Sequence, residues 1–282
     1  MAISNEATYY ELLASPFQRC RISKNSLTTV AGRSYSTWLM AAGYPAAGAA
    51  PTTAAVPTSA TAGAWSSPNA DLFDGAGTRR LLKAVIDHAP TASPGGMLTI
   101  CDRLSHQGGL SGTTTGAQTT NLGTAALTRK TSGVGVLIGL EIYSAIGATG
   151  TTVTCSYTDS TPTAAQVPTT VTWGGTGFNA ASRVVILPGV TTATGPGVTA
   201  VASVTNTATT GTAGNFGVTL FYPMVHVPLD DILCLKGYAD ALYGFGCWFP
   251  KVEAGACLFG IVHTAGALTG VLQADFLIAE DR

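Results

Sequence analysis

Apolar and polar residues alternate with a period of two along much of the chain after Gly96. In one clear segment, Val153, Cys155 and Tyr157 alternate with threonine and serine. The last such segment places four apolar residues on one face, opposite Gln273 and Asp275: Leu272, Ala274, Phe276 and Ile278. About ten segments of this kind, separated by Gly, Pro and Thr turns, are typical of a sandwich or a barrel. The pattern predicts a mainly β protein, an antiparallel β-sandwich of jelly-roll type.

Two segments show helical spacing instead. Residues 5–14 have a possible N-cap in Ser4 or Asn5, and Pro16 follows them. These signals are typical of a short helix. The segment from Gly77 to His88 has apolar residues at positions 81, 82, 85 and 86 and precedes Pro90. Such spacing forms one apolar stripe on a helix. We therefore predict an N-terminal helix and a second helix near 77–88.

The N-terminal quarter of the chain lacks the composition of a core. No charged residue occurs from Ser34 to Ala70, and Tyr44 to Trp65 is rich in Ala, Pro, Thr and Gly. Such a tract orders best against another surface. We therefore predict that residues 1–70 form a helix and an extended docking arm, and that residues 71–282 form the β-sandwich domain. On this interpretation, deletion of residues 1–70 would leave a folded β domain.

Charge is scarce along the chain. Charged residues make up 10% of the sequence, against about 25% in typical soluble domains. From Thr131 to Leu229 only Glu141, Asp159 and Arg183 are charged. The threonines that replace charges suit pleated strands, and a hydroxyl costs less to bury than an ion. The composition predicts a surface that is covered by other copies of the chain or by other proteins, and hence a homo-oligomer.

Several classes of function are disfavoured. A net charge of −1 offers no basic face for nucleic acid. The longest apolar run, Val134 to Ala145, is interrupted by Glu141 and is shorter than the ~20 residues of a membrane helix. The N-terminus has neither the basic nor the apolar region of a secretory signal. We expect neither nucleic-acid binding nor membrane insertion.

Neither a metal nor a cofactor is expected from the sequence. The six cysteines contain no Cys-x-x-Cys pair, and we interpret most of them as buried reduced thiols. A disulfide between Cys247 and Cys257, or one between subunits, is the alternative. Acidic pairs such as Asp230 and Asp231 lack the spacing of a calcium loop.

Two motifs resemble catalytic or nucleotide-binding signatures. Gly109, Leu110 and Ser111 match part of a nucleophile elbow, with His106, Ser105 and Asp102 nearby, but position 113 is Thr and no helix follows. Gly175 to Ala180 matches Gly-x-Gly-x-x-Ala, but neither a crossover helix nor an acidic residue follows at the required distance. We interpret the first as a strand end and the second as a turn between strands, and we do not predict an enzyme.

Basic residues and one tryptophan are the candidate partner contacts. They could face an acidic surface on a partner, although simple solvation is the alternative for the basic residues. A large aromatic in an uncharged tract is a natural anchor for a docked arm. The candidates are Arg19, Arg21, Lys24, Arg33, Trp65, Arg79, Arg80 and Lys83. In an alternative reading, Trp173 and Trp248 form a platform that binds glycans.

Four segments resemble those of uncharacterised virion structural proteins from tailed bacteriophages. They are Cys101 to Gly112, Thr119 to Arg129, Ser132 to Tyr143 and Gly211 to Phe221, within a resemblance that covers roughly residues 20–225. The resemblance implies a particle component associated with the head, without a catalytic motif to transfer. We therefore expect a capsid-associated decoration or cement protein. It would be made in the cytoplasm of the host bacterium and then bind itself and the major capsid protein or other virion proteins. A tail, collar or baseplate protein is the first alternative, and a glycan-binding host-attachment protein is the second.

Overall fold

All regular elements in the described part of the chain are β-strands. A computed structural model describes residues 17–40, 43–65, 78–90, 95–123, 125–161, 163, 165–190, 196–229, 236–240, 250–267 and 269–281. In chain order the strands are β1 (Phe17–Thr28), β2 (Arg33–Ser36), β3 (Gly43–Tyr44), β4 (Thr78–Pro90), β5 (Gly96–Leu110), β6 (Ala117–Thr119), β7 (Leu137–Ser144), β8 (Thr151–Asp159), β9 (Val171–Trp173), β10 (Val184–Ile186), β11 (Val198–Asn206), β12 (Asn215–Pro228), β13 (Lys236–Asp240), β14 (Lys251–Val252), β15 (Leu258–Thr264) and β16 (Thr269–Asp281). The predicted helix at 5–14 lies outside the described residues.

The strands pair antiparallel in three sheets, which confirms the predicted β class. We name them the terminal sheet, the barrel sheet and the threonine sheet. The terminal sheet has the order β13-β4-β16-β1-β3, with β14 also paired to β4. The barrel sheet has the order β10-β7-β12-β5-β15-β2, and the threonine sheet has the order β6-β11-β8-β9. A search of the described residues for a helix able to span a bilayer finds none.

The predicted helix near 77–88 is wrong, because this segment forms strand β4 in the terminal sheet. In its pairing with β16, Leu277 is opposite Lys83 while Ile278 is opposite Leu81. Leu82 is therefore the extra residue of a β-bulge, which interrupts the period of two. The bulge accounts for the adjacent apolar pair Leu81 and Leu82, whereas Val85 and Ile86 pair with β16 without a register shift.

The barrel sheet curves until its two edge strands meet. The amide of Ser36 in β2 donates to the carbonyl of Ser182, 2.8 Å away, and Tyr35 pairs with Arg183. Arg183 leads directly into β10, the strand at the opposite edge. These bonds bring the last strand against the first, so the sheet has an inner face and an outer face.

Three apolar clusters occupy the faces of this barrel. The inner face holds Trp38, Phe221, Phe259 and their neighbours. On the outer face, one cluster joins the barrel to the terminal sheet through residues such as Leu98 and Phe276. A second outer cluster joins it to the threonine sheet. Both outer sheets therefore pack face to face on the barrel sheet, as layers do in a sandwich.

Residues 37–65, described except for 41 and 42, cross the barrel instead of extending away from it. We call this stretch the crossing segment. The Trp38 indole donates to the carbonyl of Ala49, and Ala55 exchanges two 3.0 Å backbone hydrogen bonds with His106 of β5. The segment thus continues the sheet beyond the end of β15. The backbone of Gly48 packs against the Trp38 ring so closely that any Cβ atom at position 48 would overlap the indole.

Candidate interaction surfaces

The surface contributed by residues 131–229 has essentially no exposed charge. The three charged residues in this range are all buried: Glu141 is 0% exposed, Arg183 is 1% exposed and Asp159 is 5% exposed. Each has its charged group satisfied or enclosed by the fold, so none contributes to the surface. Two large apolar side chains, Val134 and Val167, are 50% and 63% exposed in the same range. The sequence shows few charges in this range, and the fold removes those few from the surface.

The threonine sheet carries much of this uncharged surface. In β8, Val153, Cys155 and Tyr157 are buried, while the residues between them are exposed or half-buried. This confirms the alternation predicted from the sequence. The outer hydroxyls of Thr152 and Thr207 lie 2.9 Å apart and bond each other. The outer face is thus polar but neutral.

Exposed charges occur on the terminal sheet and beside it. Arg19 of β1 donates to Asp275 of β16 with an N–O distance of 3.0 Å, and Lys251 pairs with Glu253 at the same distance. Surface pairs of this kind contribute little to stability, on the order of 0–1 kcal/mol. Their presence shows that the chain does use charge where a face meets water, in contrast to the threonine sheet.

The inside of the barrel holds an ion pair. Arg103 and Glu141 are both 0% exposed, and Nη2 of Arg103 lies 2.6 Å from Oε2 of Glu141. Thr219 donates to the same carboxylate oxygen at 3.0 Å. The Arg103 guanidinium also lies 4.2 Å from the ring centroid of Trp38 and 4.5 Å from that of Phe259. The crossing segment closes this site by placing Trp38 over it.

A second buried pair joins β5 to the loop before β7. Arg129 donates to both carboxylate oxygens of Asp102, at 2.9 and 3.0 Å, and to the carbonyls of Arg103 and Pro57. The amide of Cys257 also donates to Asp102. Burial raises the pKa of Asp102, while the hydrogen bonds and charge of Arg129 act in the opposite direction. The pair ties three separate segments together.

The suspected catalytic residues do not contact one another. Asp102 is bonded to Arg129 and Cys257, His106 faces Arg103, and Ser111 lies 2.9 Å from the Thr113 hydroxyl. The Ser111, His106 and Asp102 side chains thus form no catalytic relay. The other suspected motif, Gly175 to Ala180, lies in a turn that precedes β10, with positive φ at Gly175 and Gly177. That observation confirms its interpretation as a turn.

The predicted partner-binding residues are spread over several environments. Arg19 and Arg21 are exposed on β1, whereas Lys24 is buried and donates to the carbonyls of Met40 and Pro45. Arg79 and Arg80 are half-buried on β4. Because β4 is a strand, adjacent side chains point to opposite faces, so these two do not share the polar stripe that a helix would provide. Lys83 lies on β4, and its side chain is outside the described part. Arg33 of β2 is half-buried, and its guanidinium lies 3.5 Å from the ring centroid of Phe178.

The described tryptophans lie in the core. Trp65 is 1% exposed and stacks on Phe276 with ring centroids 5.3 Å apart. It therefore anchors the crossing segment to the chain's own terminal sheet, and the expectation that it enters a partner's groove is wrong. Trp38 and Trp173 are also buried. Trp173 cannot serve as a glycan platform in this arrangement, and Trp248 lies outside the described residues.

No protein-family model matches the chain, and no curated protein matches its sequence. Among solved structures, the VP2 subviral particle of infectious bursal disease virus aligns over 94% of this chain and 81% of that chain, with 7% identity and a TM-score of 0.19. The T=1 particles derived from the same virus align over 94% and 78%, with 7% identity and a TM-score of 0.20. Scores this low do not establish a common fold, so no role is transferred from these particles to this chain.

The described cysteines are buried free thiols, as predicted: Cys20, Cys101, Cys155 and Cys257. Burial raises the pKa of both Cys155 and Cys257 to about 12, which suppresses the reactive thiolate. Cys234 and Cys247 lie outside the described residues. Within the described part, no cluster of three or more metal-binding side chains occurs.

His106 should make stability dependent on pH. Burial and the charge of Arg103 lower its pKa to about 2, and because arginine only donates, Nδ1 of His106 must accept the 3.0 Å hydrogen bond. The unfolded chain takes up a proton below pH ~6.5, but the folded chain does not, so the free energy of unfolding falls as pH falls. We expect His106 to contribute a slope of about 1.2 kcal/mol per pH unit between pH 6 and 5.

Urea denaturation at these pH values measures that slope. His106→Asn keeps an acceptor for Arg103 and should remove the contribution, while His226→Asn, at an exposed histidine, serves as the matched control. Equal slopes for the wild type and His106→Asn would show that His106 is protonated in the folded state.

Proposed function

We propose that this protein is a structural component of a virion that works by self-association and by covering a capsid shell. The observation that carries the proposal is the surface of residues 131–229, in which all three charged side chains are buried. A surface of this kind meets a neighbouring protein without the cost of stripping water from ions. The four segments that resemble virion proteins of tailed bacteriophages support the same assignment.

The mechanism is burial of the neutral face across repeated contacts. A standard contact removes on the order of 1,600 Å² from water. Exposed Val134 and Val167 contribute apolar area, and the threonine hydroxyls exchange water for hydrogen bonds across the contact. The charged terminal sheet keeps other faces of each copy soluble. The division of charge between faces thus gives each copy a face for assembly and a face for solvent.

Within a virion, we assign the chain to a decoration or cement role on the head of a tailed bacteriophage, bound to the major capsid protein. A tail, collar or baseplate position is the alternative. Quantitative mass spectrometry of purified particles distinguishes these positions by copy number. Hundreds of copies would support decoration, a dozen or fewer would support the tail or baseplate, and absence from the particle would refute the virion role.

A lysine on the uncharged face should prevent incorporation. Thr172 of β9 and Ala202 of β11 are exposed on the threonine sheet. A contact between this sheet and a neighbouring protein would have to bury the ammonium group of a lysine at either position. We expect Thr172→Lys and Ala202→Lys to reduce the copy number per particle at least tenfold, measured by the same mass spectrometry, while the melting temperature of the isolated protein changes little.

Thr28→Lys provides the matched control, because Thr28 is an exposed threonine on the terminal sheet, where charge is already present. It should be incorporated at the wild-type level. Normal incorporation of both threonine-sheet variants would show that this face stays in solvent within the particle.

A further inference from the structure

One end of the barrel carries an open cavity of about 330 Å³, where β2 and β5 begin and β15 ends. Ser34, His263 and Met97 are direct partners in the pairing of these three strands, so their side chains lie in one row on one face of the sheet. Ile261, two residues before His263, belongs to the cluster inside the barrel. The row therefore lies at the inner mouth of the barrel, which is a common place for a small-molecule site.

The cavity carries positive charge without an acidic group. No residue that lines it is acidic, and Arg33 supplies a full positive charge. Arg19, Arg103 and Arg129 are each paired with a carboxylate. Arg33 instead donates from Nη1 to the carbonyl of Gly32, 3.2 Å away, and no described carboxylate pairs with it. An arginine at a cavity without a counter-ion favours an anion that comes from outside the chain.

The Arg33 guanidinium is fixed at the rim of the cavity. It lies 3.5 Å from the ring centroid of Phe178 and bonds Gly32, which also lines the cavity. Its Nε is buried and its Nη1 is bonded to Gly32, whereas Nη2 is open to solvent and has no partner among the described residues. Arg183 lies 5.3 Å from the same centroid. Arg183 is too buried to touch a ligand, but its charge adds to the positive potential at this end of the barrel.

Ser34 and His263 supply a second donor. Oγ of Ser34 lies 2.7 Å from Nδ1 of His263. Burial and the charge of His226 lower the pKa of His263, so its ring is neutral at pH 7. If Ser34 donates to Nδ1, the ring hydrogen lies on Nε2. That nitrogen is open to solvent and has no partner among the described residues, so it can donate to an anion.

We propose that this mouth of the barrel binds a small organic anion whose head group is a carboxylate or a phosphate. Nη2 of Arg33 and Nε2 of His263 donate to the oxygens of the head group, and Met97 contacts the apolar body of the ligand. Charge-assisted hydrogen bonds from arginine suit both head groups. The volume is at the lower end of the range for ligand pockets, which suits a small molecule. The site does not involve the neutral face, so it is independent of assembly.

Isothermal titration calorimetry of the full chain at pH 7 tests this site with phenyl phosphate, benzoate and the neutral benzyl alcohol. We expect at least one of the two anions to bind with a Kd of about 1 mM or lower. Benzyl alcohol should bind at least tenfold more weakly, because it lacks the charge. Tighter binding of phenyl phosphate than of benzoate would assign a phosphate head group, and the reverse order would assign a carboxylate.

Two substitutions at the cavity should weaken anion binding at least tenfold. Arg33→Gln removes the charge, and Arg21→Gln, at an exposed position on β1, is its control. Ala265→Glu adds a negative charge at an exposed residue of the lining, and Ala202→Glu, exposed on the threonine sheet, is its control. Both control variants should bind the anion as the wild type does. Ala265→Glu should keep the wild-type melting temperature, because Ala265 is exposed.

NMR of protein labelled at the methionine methyl groups locates the bound probe. The aromatic ring of either anion should shift the Met97 resonance, which Met97→Leu assigns. The resonance of Met40, which packs against the cluster between the barrel and the terminal sheet, should not shift. Four results would each overturn the inference: no saturable binding of either anion, equal binding of benzyl alcohol, wild-type affinity in Arg33→Gln, or binding that leaves the Met97 resonance unchanged.

Discussion

Deletion of residues 1–70 is expected to leave the remaining chain without a cooperatively folded core. The deletion removes β1, which pairs with β16 over most of its length, and β2, which closes the barrel. It also removes Trp38 and Trp65, both buried. Loss of a buried tryptophan costs about 3–5 kcal/mol, so the two together approach the whole stability of a typical domain, about 5–15 kcal/mol.

Circular dichroism with urea denaturation measures this loss. The truncated chain should show no cooperative transition. In the full chain, Trp65→Ala should lower the free energy of unfolding by about 3–5 kcal/mol, while Tyr44→Ala, at an aromatic that is 40% exposed, should have a much smaller effect. A truncated chain that unfolds at the wild-type midpoint would support the docking arm expected from the sequence.

Strand alternation was predictable where a strand has one covered and one outer face. In β16, Leu272, Ala274, Phe276 and Ile278 are buried, as the period of two indicates. Alternation misleads where pairing is irregular, because the bulge at Leu82 in β4 adds an apolar residue beside Leu81 and interrupts the period of two. The sequence does not show which strand lies opposite β4, and a bulge is defined only by the pairing with that strand.

The crossing segment could not be placed from composition alone. The composition predicts that its alanines, prolines and threonines do not form a core of their own, yet Ala64 belongs to the cluster inside the barrel. What the composition conceals is that Trp38 and Trp65 are anchors at the two ends of the segment, each packed into a different cluster of the same chain. The surface that orders the segment is thus its own barrel rather than a partner.

The buried charges explain why the sequence alone predicts the neutral surface only in part. Counting residues shows that charge is rare between Thr131 and Leu229, but burial of Glu141 and Arg183 depends on residues remote in sequence. Glu141 interrupts an apolar run, which in a folded chain indicates a buried counter-ion. That counter-ion is Arg103, which lies in β5 and meets Glu141 only after the barrel forms. The barrel thereby removes from the surface a charge that assembly would otherwise have to bury.

Glu141→Gln should therefore destabilise the protein strongly. The substitution keeps the shape of the side chain but leaves the Arg103 guanidinium in the barrel without its negative partner, and breaking a buried pair in this way costs about 3–5 kcal/mol. Urea denaturation at pH 7 measures the loss. Glu253→Gln breaks the exposed pair with Lys251 and should cost no more than about 1 kcal/mol.

Replacement of both charged residues distinguishes the stability that the ion pair contributes from the cost of leaving one buried ion unpaired. The rings of Trp38 and Phe259 already enclose Arg103, so an apolar side chain would fit this environment. We expect the double variant Arg103→Met/Glu141→Leu to recover most of the stability lost in Glu141→Gln, since a packed apolar pair often matches a buried ion pair. If Glu141→Gln instead unfolds at the wild-type urea concentration, the aromatic rings and the Thr219 hydroxyl suffice to hold the arginine charge, and Glu141 is not its required counter-ion.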